Sequence, residues 1–293
     1  MSFENIIGNE KVKDTLNKAL KDNHISHSYL FVGIDGIGKK IFAKEFAKKL
    51  LCENIEEDKI CSSCIKLESD NHPDFNQIDP DEKGSIKIDI IRKMQEEISQ
   101  KPIVSKRKVY IINDSEKMTE EAQNCLLKTL EEPPEYIVII LITSNESKLL
   151  TTVKSRCLKV PFQDILKENI NTYLRENIKS TIDVNLIDMS QGSIGRAVKL
   201  QEEKEMYQEV SKLLDEISTS NLSNLFAKSE ILYKQKDKIN DILDYINIYL
   251  FNSKEENKLN AIKFVEETKK RLNSNSNYDM CIDYLLMKLY EQR

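Results

Sequence analysis

Two short stretches carry residue types at spacings that could do chemistry. The first runs Gly33-Ile34-Asp35-Gly36-Ile37-Gly38-Lys39-Lys40: a glycine, four residues, then Gly-Lys. It follows an apolar strand-like run and opens a helical one. In that context Gly36 and Gly38 let backbone N–H groups turn inward on a phosphate, the helix N-terminus adds partial positive charge, and Lys39 reaches the β/γ-phosphates. Lys40 stands where such loops carry Ser or Thr, whose hydroxyl coordinates Mg²⁺. An ammonium has three donors and no acceptor, so it cannot take that place. The second stretch is Asn113-Asp114, which ends the apolar run Val109-Tyr110-Ile111-Ile112. Buried strands of this kind end in an acidic pair that orients Mg²⁺ and the attacking water. Here an amide replaces the first carboxylate and the shorter Asp the second, and sliding the register puts Ser115 in the second role. Both losses argue against Mg²⁺-dependent ATP hydrolysis; ATP or ADP binding without turnover stays open.

A third candidate is Cys52, Cys61 and Cys64, three of six cysteines, all within thirteen residues. In a reducing compartment such a cluster suggests a metal before a disulfide.

The elements that must position these residues follow from the apolar pattern. The runs YLFVG (29–33), DFNQID (74–79), KVYIIND (108–114), YIVIILIT (136–143) and CLKVPF (157–162) alternate with helical spacings through Ala43, Phe46 and Leu50, through Ile91, Met94 and Ile98, and through Ala122, Cys125, Leu126 and Leu130. Alternating strands and helices predict a parallel sheet with right-handed crossovers. After Phe162 only helical spacing remains, in Met206-Val210-Leu213-Leu214-Ile217, in 242–251 and in 278–290. The expected fold is therefore an α/β domain over 1–162, a small helical lid over 163–201 and an all-α domain over 202–293. Seven Gly and six Pro leave little room for flexible linkers.

At 293 residues, 40% hydrophobic and 32% charged with a net charge of −5, the chain is not a nucleic-acid binder by bulk charge. No apolar run approaches the ~20 residues that span a bilayer, and MSFENIIGNEKVK lacks the apolar stretch of a signal peptide. A cytoplasmic protein without a membrane partner is expected.

The strings FENIIGNEKVKDTL, HISHSYLFVGIDGIGKK, NHPDF, KVYIINDSEKMTEEAQNCLLKTLEEPPE and VKSRCLKVPF resemble, in order and spacing, the AAA+ subunits of the bacterial DNA polymerase III clamp loader. The resemblance covers roughly the first 165 residues. It implies a RecA-like AAA+ domain, a three-helix lid and a collar that holds a hetero-pentameric ring of gamma/tau-type and delta subunits, acting with the sliding clamp and, mainly through the complex, with primer-template DNA. The altered loop and acidic pair resemble the member that does not hydrolyse ATP; the alternative is an active gamma/tau-type ATPase. No ATPase or polymerase activity of its own is expected, only membership of the polymerase complex.

The resemblance also implies roles residue by residue. Arg156 of Ser155-Arg156-Cys157 would be an arginine finger, entering a neighbouring subunit's ATP site and stabilising charge on its γ-phosphate with a planar, permanently charged guanidinium. Arg196, in GSIGRAV (192–198), would sit in a sensor-2 segment; Thr143 and Ser144 fall near sensor 1. The cysteines resemble a zinc module over 52–67 that normally has four. Counting back from NHPDF puts Asp58 in the place of one ligand; counting forward from Cys52 puts Leu67 there. Asp58 could complete a Cys₃Asp set around a structural zinc.

The remaining features read more plainly. His27 and His72 are expected to pack or cap. Lys101, Lys106, Arg107 and Lys108 form a basic run that reads as a solvated loop, with DNA phosphates as the alternative. Glu131-Glu132-Pro133-Pro134 reads as helix termination. Tyr245, Tyr249, Phe251, Tyr284 and Leu285 read as core and collar interface.

Overall fold

The computed structural model describes residues 3–52, 61–69, 71–178, 181–217, 221, 229–253, 257–274 and 276–292. They divide into two compact units, Met1–Asn169 and Ile170–Arg293.

In the first unit, β1 (Ser28–Val32), β2 (Phe75–Ile78), β3 (Lys108–Ile112), β4 (Ile137–Thr143) and β5 (Leu158–Pro161) form one sheet in the order β2-β3-β4-β1-β5. Every pairing is parallel, with Phe31 opposite Ile142 and Val160, and Ile112 opposite Leu141 and Ile78. All residues of β3 and β4 are buried, as are four of the five in β1. Strands covered on both faces need no alternation, which is why these segments read as unbroken apolar runs. Helix α1 (Glu10–Lys21) precedes β1, and the crossovers carry α2 (Lys39–Leu51), α3 (Ser62–Glu68), α4 (Ile88–Ile98), α5 (Glu120–Glu131) and the one-turn α6 (Thr151–Lys154).

Periodicity decides which helix faces are covered. Ile91, Met94 and Ile98 of α4 and Ala122, Leu126 and Leu130 of α5 join Tyr110, Ile112, Ile139 and Leu141 in one apolar cluster. On α2, Phe42 packs edge-on to Phe162 and Phe46 edge-on to Tyr29, with ring centroids 5.2 Å apart in both pairs. Thr119 caps α5 by accepting from the Ala122 N–H, and Pro133-Pro134 follow its end at Glu131. Residues 163–169 fall in the first unit, where Gln163 N donates to Asn9 Oδ1 at 2.7 Å and Ile165 is buried.

The division between the units falls within α7 (Lys167–Asn177). Next come α8 (Val184–Met189), α9 (Ile194–Glu202), α10 (Lys204–Ile217), α11 (Glu230–Lys234), α12 (Ile239–Asn252), α13 (Lys258–Asn273) and α14 (Tyr278–Glu291). Among the described residues no strand follows β5. Leu186 and Met189 of α8 and Leu200 of α9 share one core with Val210, Leu243, Ile246, Val265, Leu285 and Leu286. Tyr245 and Leu285 are buried, whereas Phe251 is exposed.

Candidate functional site

The candidate phosphate loop leaves β1 at Gly33 and enters α2 at Lys39. Gly36 and Gly38 have φ of +73° and +101°, a region in which side chains are strained. Gly33 is needed for a different reason: a Cβ there would lie 2.8 Å from the Phe162 Cβ. Backbone bonds tighten the same corner, Gly33 N to Thr143 O at 3.2 Å and Phe162 N to Val32 O at 2.7 Å. Lys39 is buried, and its Nζ donates to Gly33 O at 2.6 Å and Ile34 O at 2.8 Å, with Asp35 Oδ1 3.9 Å away. Burial lowers its pKa against the opposing pull of Asp35, Glu116 and Asp114. Its ammonium is satisfied by the loop's own carbonyls.

Lys40 points its charge at a residue that no motif marked. Its Nζ lies 3.3 Å from Asp79 Oδ1, just beyond β2. The same oxygen accepts from Asn113 Nδ2 at 3.1 Å, and Asp79 Oδ2 accepts from Gln77 Nε2 at 2.5 Å. Burial pushes the Asp79 carboxyl up, but the Gln77 bond, the Lys40 charge and the Asn113 amide outweigh it and hold its pKa below the ordinary range. Lys40 and Asn113 are thus both donors to one carboxylate. Asp114 sits at φ +45°, a conformation Asp tolerates better than most, and pairs with Lys117 at 2.8 Å. Glu116 Oε1 accepts from Ser144 N at 3.1 Å and Ser144 Oγ at 2.5 Å. Thr143 Oγ1 accepts from Asn145 N at 3.0 Å. All these groups stand at the carboxyl ends of the strands, the edge where parallel sheets bind ligands.

Arg156 stands at the other edge. It follows α6 by a tight turn and precedes β5, and its carbonyl accepts from Ser28 Oγ at 2.6 Å, where β1 begins. Nη1 donates to Thr152 O at 2.8 Å and Nη2 pairs with Glu131 Oε1 at 2.7 Å, leaving the side chain 34% exposed. The turn is braced through α5: Gln123 Nε2 donates to Met118 O and Lys148 O, both at 3.2 Å, while its Oε1 accepts from Leu150 N at 2.8 Å, just before α6. From Ser28 to Gly33 the chain advances about 16 Å of strand. Arg156 and the phosphate loop therefore lie at opposite ends of β1.

The cysteines do meet. Cys52 Sγ lies 3.6 Å from Cys61 Sγ, which lies 3.4 Å from Cys64 Sγ, and all three sulfurs fall within 4.8 Å of one another. Sulfurs about 2.3 Å from a tetrahedral zinc would be spaced much like this, so the donor set fits such an ion. Burial and the neighbouring thiols push Cys64 up to about 12. Asp58 lies outside the described residues, so three ligands are placed; Leu67 is buried on α3.

His72 is buried and its Nδ1 accepts from Asp74 N at 3.1 Å, while His27 Nδ1 lies 3.4 Å from Ile137 O. Asp74, fully buried, accepts from the N–H groups of Ile103 at 2.7 Å and of Val104 and Ser105 at 2.8 Å. It fixes the loop that displays the basic run. Lys101 and Lys106 are exposed, whereas Lys108 is buried with its Nζ on Glu97 O at 2.8 Å, which removes it from any surface patch. In the second unit, Arg196 lies in the first turn of α9, its N–H on the capping Ser193 Oγ at 3.1 Å and Nη1 3.5 Å from Gln191 Oε1.

The sequence motifs single out none of Asp79, Asp74 and Glu116, and mark Glu131 only as a helix end. The strand run DFNQID ends in Asp79, and a carboxylate at a strand's carboxyl end was the available signal.

The family described as DNA polymerase III, delta subunit, matches residues 8–166. DNA polymerase III subunit delta' of Bacillus subtilis is 30% identical over 316 aligned positions, covering 96% of each chain. DNA polymerase III subunit tau/gamma of Haemophilus influenzae is 34% identical over 69% of this chain and 30% of its own length. Among solved structures, a gamma subunit-related protein of DNA polymerase III from Thermotoga maritima aligns with 94% of this chain and 99% of its own at 20% identity and a TM-score of 0.49.

Proposed function

Because the chain belongs to the DNA polymerase III clamp-loader family of AAA+ subunits, we propose that it is the delta' (delta prime) subunit. In this reading it does not hydrolyse ATP. It joins gamma/tau-type and delta subunits in a hetero-pentameric ring in the cytoplasm, takes part in ATP-driven loading of the sliding clamp onto primed DNA, and lends Arg156 to the neighbouring ATPase. Contact with primer-template DNA runs mainly through the complex, and Arg196 belongs to a sensor-2 segment.

The observation that carries this reading is the separation of Arg156 from its own phosphate loop by the length of β1. An arginine side chain is far shorter than that strand, so its guanidinium is available to another chain's phosphates and not to its own. The tie of Lys40 and Asn113 to Asp79 supports the loss of metal chemistry, since the carboxylate is neutralised by an ammonium instead of a divalent cation. Cys52, Cys61 and Cys64 would hold a structural zinc, with Asp58 as the proposed fourth ligand, and tie the end of α2 to α3.

The test is the ATPase rate of the reconstituted loader. Arg156→Ala should leave ring assembly intact and slow hydrolysis at the neighbouring site by about a hundredfold or more; an unchanged rate sinks the reading. The tau/gamma similarity favours one rival, an active ATPase of the same ring. Mg²⁺-dependent turnover by the isolated chain would establish that rival instead.

A further inference from the structure

We propose that Glu131 is a positioning residue for Arg156, holding the guanidinium extended at the interface edge before and during its use by the neighbouring subunit. The inference rests on the arginine-finger reading above and adds a residue to it. Glu131 is the last residue of α5, and Pro133-Pro134 stop the chain from fraying or extending past it. That end is fixed by packing: Leu126 and Leu130 are buried on the same helix. From this rigid point Glu131 Oε1 forms an ion pair with Nη2 at 2.7 Å, while Thr152 O accepts from Nη1 at 2.8 Å. Two anchors on two different elements define the guanidinium plane, which one bond would leave free to rotate.

The anchoring leaves chemistry available. An arginine has five N–H donors in a fixed fork, and Nε–H and the second Nη2 hydrogen are not used by either anchor. They can face phosphate oxygens while the anchored edge stays in place. Both partners of the pair are part-exposed, at 34% for Arg156 and 49% for Glu131. A bridge of that kind is weak, so it orders the side chain without sequestering it. A flexible arginine loses considerable rotamer freedom on engaging a phosphate; ordering it beforehand removes that loss from the transition state. The effect therefore falls on the rate of the chemical step and not on ATP affinity.

The experiment compares kcat and KM for ATP in loaders reconstituted with wild-type chain, Glu131→Ala, Glu131→Gln, Arg156→Ala and the Arg156→Ala/Glu131→Ala double variant. Assembly is followed by gel filtration and folding by thermal melting. Glu131→Ala should lower kcat about fivefold, the scale of one solvent-facing bridge, at unchanged KM and melting temperature. Glu131→Gln, whose amide oxygen still accepts from Nη2, should recover most of the rate, and the double variant should be no slower than Arg156→Ala alone. If Arg156→Ala slows the loader but Glu131→Ala leaves kcat unchanged or raises it, the positioning role is overturned while the arginine-finger reading survives. A double variant slower than Arg156→Ala, or a Glu131→Ala loss that follows the melting temperature and is not recovered by Gln, also overturns it. No effect of Arg156→Ala overturns both.

Discussion

At Gly33 a single methyl group would meet the Phe162 Cβ at 2.8 Å, so the phosphate loop's first glycine is a packing requirement before it is a chemical one. Gly33→Ala is expected to destabilise the first unit by about 1–3 kcal/mol, as overpacking does, measured by urea denaturation. Gly84 separates space from backbone strain, because its φ is +73° but nothing lies within 4 Å of an added Cβ. Gly84→Ala should cost about 1–2 kcal/mol, from the left-handed conformation alone. Lys40→Thr supplies a hydroxyl but leaves the Asn113 amide, so Mg²⁺-dependent ATP hydrolysis by this variant is expected to stay at background in a phosphate-release assay. The departures at Lys40 and Asn113 were legible by residue type. Their partner Asp79 was not, because it lies 39 residues from Lys40 and 34 from Asn113 and the three meet only when β2 and β3 are paired. Glu131 was legible as a helix end, which it is, but not as the partner of Arg156.

Strands announce themselves when both faces are covered, and here the five apolar runs all became strands of the sheet with ends within two residues of those read. Loops are harder, because what fixes them is a side chain elsewhere. Asp74 illustrates this: it stands directly before β2, and its carboxylate binds three consecutive backbone N–H groups some 30 residues later. Burial pushes the Asp74 carboxyl up, but those three N–H groups outweigh it and the pKa is lowered overall. A carboxyl held below its unfolded value stabilises the fold above the ordinary carboxylate pKa, near about 3.9, and loses that contribution as pH falls through the folded value. Asp74→Asn should therefore cost about 1–3 kcal/mol at neutral pH, and the gap from wild type should close in denaturation curves taken progressively below about pH 4. Amide hydrogen exchange at 103–105 should speed up in the same variant.

Across the whole molecule, the helical region after the sheet was legible from its 3.6-residue period. The sharing of one core by α8, α9 and the later helices was not, since periodicity shows that a face is buried but not against what. Leu285, fully buried in that core, gives the scale: Leu285→Ala should cost about 2–5 kcal/mol, read from chemical denaturation of the helical unit. The cysteine cluster adds a prediction at this level. Metal analysis of purified chain should give one zinc per molecule, and removal by a strong chelator should lower the melting temperature; a chain purified without zinc and insensitive to the chelator would rule the site out.

The opposite placement of Arg156 and the phosphate loop on β1 has a consequence for assembly. On the proposed function it makes the chain directional, with a tail that offers a cation and a head that would accept one. Contacts of tail to head are heterologous and repeat in one sense around a ring. In that reading the contacts of Lys40 and Asn113 with Asp79 take the place of metal chemistry at the head, while the tail keeps its charge. On the proposed reading such a chain terminates a series of active sites: it completes the site beside it, and no catalytic site follows on its other side.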